Sequence, residues 1–463
     1  MSPNQLAGSV ATDERDKGGW RTPKLWRFLG PALLVGVGYM DPGNWATDLE
    51  GGARFGYQLL WVLVLSNLIA LLLQTLCARL GVVSGFDLAQ ACRAYYPRPA
   101  VYGLWLLCEV AIIACDLAEV IGSAIALNLL FDIPMVWGAA ITALDVFLIL
   151  LLQQHGARRL EALILVAVLT IAVCFALELT FVQPDWSAVA SGLRPRLDDA
   201  TLYIAIGILG ATVMPHNLYL HSSLVKTRNI APLRAARVKA LRYYFVDTAI
   251  ALNFAFLINA SILIVAAAVF FTRGVEVGDL REAYRLLSPL LGVGLASSLF
   301  AIALLCAGQS ATITGTLAGQ IVMEGFLRLR ISPVMRRLLT RGLAVLPAIA
   351  VLAIYGEART IDLLVATQVV LSLQLPFAIV PLIRFTGDAR VMSDFASGFL
   401  LKTAAWASAA FVVTANCWLV AETLLGWEHP PAAIAVGLAY ALALIYVAVV
   451  PLQSRIGANS STC

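Results

Sequence analysis

The amino-acid sequence predicts an all-α polytopic membrane protein, one bundle of about twelve transmembrane helices with two of them broken near mid-membrane. Three observations carry this. Of the 463 residues, 60% are hydrophobic and 13% charged, and the mean hydropathy is +0.85, outside the range of soluble domains. The stretches Phe55 to Ala78 and Pro430 to Ser454 carry no charge, and each exceeds the roughly 20 apolar residues that cross a hydrocarbon core. Finally, two apolar runs are interrupted, at Asp41-Pro42-Gly43-Asn44 and at Met214-Pro215-His216-Asn217. Broken backbone and ionisable groups are tolerated at membrane depth only inside protein or a cavity.

Taken in order, residues 1–27 are polar and lack the apolar core and small-residue cleavage site of a signal peptide, so they read as a tail. The expected spans are then 28–53 with the first break, the uncharged 56–78, 101–131 with Asp116 and Glu119, 135–153, 160–182, and 201–224 with the second break. They continue as 244–271, 288–323, 336–354, 361–383 with Gln368, 400–425 and 432–452, with a tail from 453 to 463. The 288–323 block is long enough to run beyond the bilayer. Orientation follows from the basic residues, because cytoplasmic loops retain Lys and Arg. Of 32, only Arg54, Arg194, Arg196, Arg273, Arg281, Arg285 and Arg359 fall on the opposite side from the N-terminus, and the stretch from Lys226 to Arg242 reads as a basic cytoplasmic loop that sets topology and meets lipid headgroups. Both termini are therefore expected in the cytoplasm and the chain in a cytoplasmic membrane. The net charge of +4 reports topology and does not point to nucleic acid.

The breaks narrow the chemistry. Aligning their prolines places Asp41 over Met214 and Asn44 over Asn217, one break five spans after the other. The first and sixth helices are thus equivalent members of two inverted five-helix repeats, 28–182 and 201–383, followed by two further helices over 400–452; paired interruptions of this kind point to a transporter's binding site. Proline removes a backbone donor, so carbonyls from about Gly38 and Ala211 onward lose helical partners. Each half-helix ending there presents its negative dipole end. With the Asp41 carboxylate and the Asn44 amide oxygen, the site suits a cation. A lone methionine in an apolar helix is usually core filler, but Met214 sits beside a proline at the position matching Asp41. Its soft thioether favours a transition metal over Ca²⁺ or Mg²⁺.

With both breaks in view, the chain resembles the NRAMP family of proton-coupled divalent metal transporters, which have the LeuT-type inverted-repeat fold. The resemblance rests on DPGN at 41–44, MPH at 214–216 and GQSATITGTLAGQ at 308–320, where Ala311 replaces a common serine. It implies import of Mn²⁺ or Fe²⁺, between which the ligand set does not choose. It also implies ligation by the side chains of Asp41, Asn44 and Met214 and by the carbonyls of Ala211 and Gly38, where alanine is usual. Gln368 corresponds to a tenth-helix glutamine that joins the shell in some states. Magnesium-transporting relatives depart from this pattern at the methionine; this sequence does not.

Proton coupling needs titratable groups leading away from the metal. Asp116 and Glu119 share one helical face at i, i+3, and Arg341, His216 and His221 supply cations near them. The resemblance implies Asp41 and Glu119 as proton acceptors, Asp116 and Arg341 along the exit route, and His216 beside it; His221 reads equally well as a hydrogen-bonding contact between helices. Glu109, Asp145, Glu178 and Asp247 stand in no motif, and Asn67 and Asn259 read by default as helix-to-helix contacts.

Of the eight cysteines, Cys77, Cys108, Cys115, Cys174, Cys306 and Cys417 fall within or at the edge of apolar spans and read as buried small hydrophobes, Cys92 falls in a cytoplasmic loop and Cys463 is last; no CxxC pair occurs, which argues against a disulfide framework or thiolate site. An enzyme is not expected, since zinc-ligand clusters, nucleotide loops and nucleophile elbows are absent from the sequence. Neither a resident cofactor nor an obligate protein partner is implied; the expected partners are the metal and the bilayer. The alternatives are a Na⁺-coupled organic solute symporter of the same fold and a membrane metal sensor that binds without moving the ion.

Overall fold

The computed structural model describes residues 30–142, 144, 157–228, 230, 233–275, 280–291, 294–329, 333–355, 360–425 and 430–453. Within them the chain is helical, without strands. Among the described residues, eight helices are long and apolar enough to cross a membrane. The remaining expected spans are the first, which is two short helices, the 135–153 span, which lies partly outside the described residues, and the apolar segments Gly342–Leu352 and Ile434–Val449.

The first span is α1 (Pro31–Gly38) and α2 (Pro42–Phe55). Then come α3 (Leu60–Ser84), α4 (Leu88–Tyr95), α5 (Arg98–Phe131), α6 (Ala157–Val182) and the short α7 (Trp186–Ser191). The sixth span is α8 (Asp199–Thr212) and α9 (Pro215–Leu224). The chain continues as α10 (Arg234–Val269), α11 (Leu280–Leu291), α12 (Ala296–Leu327), α13 (Pro333–Tyr355), α14 (Thr360–Gln374), α15 (Pro376–Gly387), α16 (Phe399–Leu425) and α17 (Pro430–Val449).

Both breaks follow the same rule. The residue before proline is pushed out of the helical region, and Asp41 (φ −70°, ψ 166°) and Met214 (φ −64°, ψ 122°) are both extended. Each proline then opens the next helix, where its missing N–H has no cost. α1 ends in a tightened turn, with Tyr39 N donating to Gly36 O and Met40 N to Val37 O. Its other end is tied down by Asp247 of α10, whose carboxylate accepts from the backbone N–H of Gly30 and Ala32 at 3.3 and 3.0 Å. Asp247 is thus the cap of a buried helix start.

A third proline acts more gently. The expected 361–383 span bends at Leu375–Pro376, and α15 continues from α14 with Leu375 still in helical conformation. Pro376 cannot donate to the Ser372 carbonyl. Asn416 of α16 donates its Nδ2 there at 2.7 Å, and the Ser372 hydroxyl donates back to Asn416 Oδ1 at 2.9 Å.

α2, α8 and α9 form the centre, packed by α5, α10 and α14, with α12 laid along α5. α6 turns Leu163, Val166, Leu169 and Val173 outward, as a lipid-facing helix should. Three expectations are corrected. The 288–323 block is not one long helix but α11 and α12, separated near Gly294. The basic stretch from Lys226 to Arg242 is only partly loop, since α10 begins at Arg234. Cys92 is a fully buried residue of α4 rather than a loop residue.

Candidate metal site

Asp41, the N-cap of α2, accepts from Asn44 N at 2.8 Å and from Asn44 Nδ2 at 2.7 Å. The same Nδ2 reaches across to the carbonyl of Ala211 on α8 at 3.1 Å. Asn259 of α10 completes the bridge, its Nδ2 lying 2.8 Å from Tyr39 O and 3.3 Å from Asn44 Oδ1. Asn259 therefore ties both sides of the first break, which exceeds the default helix contact. Asn67 fits that default, donating to Asn253 Oδ1 of α10 at 3.1 Å.

Met214 is fully buried in one cluster with Ala111, Cys115 and Leu371. Cys115 lies 3.9 Å from Asp41 Oδ2 and 3.7 Å from Glu119 Oε1, so a single thiol links the surroundings of Asp41, Met214 and Glu119. The sequence marked Cys115 only as buried. Its position one turn before Glu119, at i, i+4, was the available signal.

Gln368 also arrives. It is fully buried, and a Cβ on Gly43 would collide with its amide. The glycine of DPGN thus leaves room for the tenth-helix glutamine beside the break. Gln368 Nε2 donates to Thr367 Oγ1 at 3.0 Å, and its Oε1 has no hydrogen-bond partner among the described residues. Gly38 ends α1 against Asn217 of α9.

Among the described residues no group of three or more His, Cys, Asp or Glu is placed to hold a metal. A cation here must draw on one carboxylate, an amide, a thioether and carbonyls. The Asn44 NH₂ group, a positive dipole end, already sits between the Asp41 carboxylate and the Ala211 carbonyl, as a cation would.

The residues expected along a proton route divide. Asp116 and Glu119 are buried on α5 and face Gly315 of α12, where an added Cβ would lie 3.0 Å from Glu119 Oε1 and 3.3 Å from Asp116 Oδ1. The third motif is therefore where α12 becomes narrow enough to admit both carboxylates. His216 is buried, with Nδ1 unpartnered among the described residues. His221 Nδ1 is 2.8 Å from Gln74 Oε1, and Gln74 Nε2 donates to Tyr39 OH at 2.8 Å, so His221 makes a helix-to-helix contact reaching the first break. Arg341 is in α13, but its side chain lies outside the described residues, as does Asp145. Glu109 of α5 accepts from Trp105 Nε1 at 3.0 Å.

Two further buried carboxylates stand out, Glu178, which the sequence placed in no motif, and Asp48, which the sequence reading did not mark. Glu178 and Asp48 have neither oxygen hydrogen-bonded among the described residues. Asp48 stands seven residues after Asp41, hence on the same face of α2, and that spacing was readable.

Residues 32–422 match the model of the Natural resistance-associated macrophage protein-like (Nramp) family. The chain belongs to the Nramp family. Among its relatives, a divalent metal cation transporter MntH of Xanthomonas campestris is 57% identical over 426 residues, 91% of this chain and 96% of the relative. An MntH of Nostoc is 53% identical over 413 residues, 88% and 93% of the two chains. The solved structure of a manganese transporter of Eremococcus coleocola, mutant H236A, superposes with a TM-score of 0.85 at 36% identity, covering 93% of this chain and 96% of that one. At 15% identity, the nucleobase-cation-symport-1 transporter Mhp1 still superposes with a TM-score of 0.58 over 91% of this Nramp chain and 93% of its own. That likeness speaks for the fold alone. Nramp proteins are metal transporters and not enzymes, and this one is an integral membrane protein whose homologues carry divalent metal cations.

Proposed function

We propose that the protein imports Mn²⁺ or Fe²⁺ together with protons by alternating access, holding the ion between its two helix breaks. The ligands are Asp41, Asn44 and Met214 through their side chains and Gly38 and Ala211 through their carbonyls, with Gln368 joining in some states. The observation that carries this is that Asp41, Asn44, Ala211 O and Met214 meet in one buried place around Cys115. The manganese transporter of Eremococcus coleocola supports Mn²⁺ as a cargo of this architecture.

For Asn44 to ligate, its amide must turn by about half a rotation, withdrawing Nδ2 from Asp41 and Ala211 and presenting Oδ1. A dication beside Asp41 displaces any proton that carboxylate holds, because like charges compete for one site. The released proton passes the Cys115 side chain to Glu119 and then Asp116, with His216, His221 and Arg341 along the route. Two inverted repeats, 28–182 and 201–383, rock about the fixed site. Both termini lie in the cytoplasm, and no cofactor or protein partner is required.

Uptake of Mn²⁺ into liposomes under an inward proton gradient tests the reading. Wild-type uptake is expected to resist excess Ca²⁺, and Met214→Ala, matched for folded yield, to become Ca²⁺-sensitive. Mn²⁺ binding without flux under any gradient would overturn it in favour of a sensor.

A further inference from the structure

The two breaks repeat one geometry, and one contact in it is left open. Asn44, three residues after Asp41, sends its amide to Ala211, the residue three before Met214. Asn217 stands three residues after Met214, and its amide meets Gly38, three before Asp41. A Cβ on Gly38 would lie 2.5 Å from Asn217 Nδ2 and 3.2 Å from Oδ1. The two asparagines therefore cross between the breaks in the same sense.

Their partners differ. Asn44 is held by Asp41, Ala211 and Asn259. Asn217 is fully buried, yet neither its Oδ1 nor its Nδ2 is hydrogen-bonded among the described residues. A primary amide buried with both ends unmet is an unfavourable arrangement in a native interior and calls for a partner that arrives later.

We infer that Asn217 is a further oxygen donor to the transported divalent cation, directly or through one water, and that Gly38 is what gives its amide room. This rests on the proposed metal site. An amide oxygen is a hard ligand and adds to the Asp41 side of the balance, whereas Met214 is soft. Asn217 therefore favours Mn²⁺ over a thiophilic ion of similar charge such as Cd²⁺.

Titration calorimetry on the full-length protein in detergent, with MnCl₂ and CdCl₂ as probes, tests this. Asn217→Ala is expected to weaken Mn²⁺ binding about tenfold and Cd²⁺ less than about threefold. Asn217→Asp, which keeps an oxygen in the same place, restores Mn²⁺. Gly38→Ala reproduces the loss by displacing the amide, and the double variant is no worse than either single one; this also keeps the test open should Asn217→Ala fold poorly. Mn²⁺ affinity unchanged in Asn217→Ala, or an equal loss for both ions without rescue by Asp, overturns the inference. Asp41→Asn separates the two levels. If it loses both ions while the Asn217 variants are silent, only this inference fails; if it too leaves both ions bound, the metal site itself fails.

Discussion

The first break and the second use the same proline and put different chemistry in front of it. At the first, Asp41 both caps α2 through one carboxylate oxygen and turns the other to Cys115. At the second, Met214 is equally extended and equally buried but caps nothing. Proline creates the opening in the backbone, and the residue before it decides what the opening attracts. An acidic cap on one side and an uncapped thioether on the other make a site of mixed hardness, which neither break would form alone.

The largest effect should come from neutralising the first break. Asp41→Asn keeps an effective N-cap and removes the carboxylate charge of the first break. Mn²⁺ binding by calorimetry should fall by more than the roughly 10–100-fold that losing an outer partner of a metal site costs. Next in size, Glu119→Gln should leave Mn²⁺ binding within about twofold yet abolish the dependence of liposome uptake on the proton gradient, because a neutral amide cannot carry the proton onward. Retained gradient dependence would take the proton route away from α5.

Smaller again, Gly43→Ala puts a methyl where the Gln368 amide lies. Overpacking of this kind costs about 1–3 kcal/mol, and uptake should drop several-fold while thermal stability, read by unfolding in detergent, declines. An unchanged uptake rate would free Gln368 from any role at the site. The smallest effect belongs to the third proline. Asn416→Ala removes the donor that replaces the missing N–H of Pro376 and should cost about 1 kcal/mol in stability, with Mn²⁺ uptake unchanged. A change in Mn²⁺ uptake there would make the α14 bend a working hinge and set it beside the two true breaks.

Much of this was legible before any coordinates. Pro42 and Pro215 announced the breaks because proline acts on its own backbone and its predecessor, a local effect. Asp116 and Glu119 announced a shared face through helical spacing. The bend at Pro376 was not marked, although proline was present, because whether a proline breaks or bends a helix depends on what satisfies the freed carbonyl. Here that is Asn416, 44 residues later. Cys115 was read as a small hydrophobe because its type and its apolar neighbours in sequence say nothing of Asp41, 74 residues before it.

The sequence by itself determined the membrane bundle, the positions of the two breaks and the residue types at each, since hydropathy, proline and helical period act within a few residues. Only the tertiary structure decided which way the Asn44 amide points, that Gln368 occupies the space above Gly43, that Gly315 admits both α5 carboxylates, and that Asn217 lies open against Gly38. Those are contacts between segments far apart in the chain, fixed by close approach of helices and by the demand that buried polar groups find partners, and no local pattern encodes them.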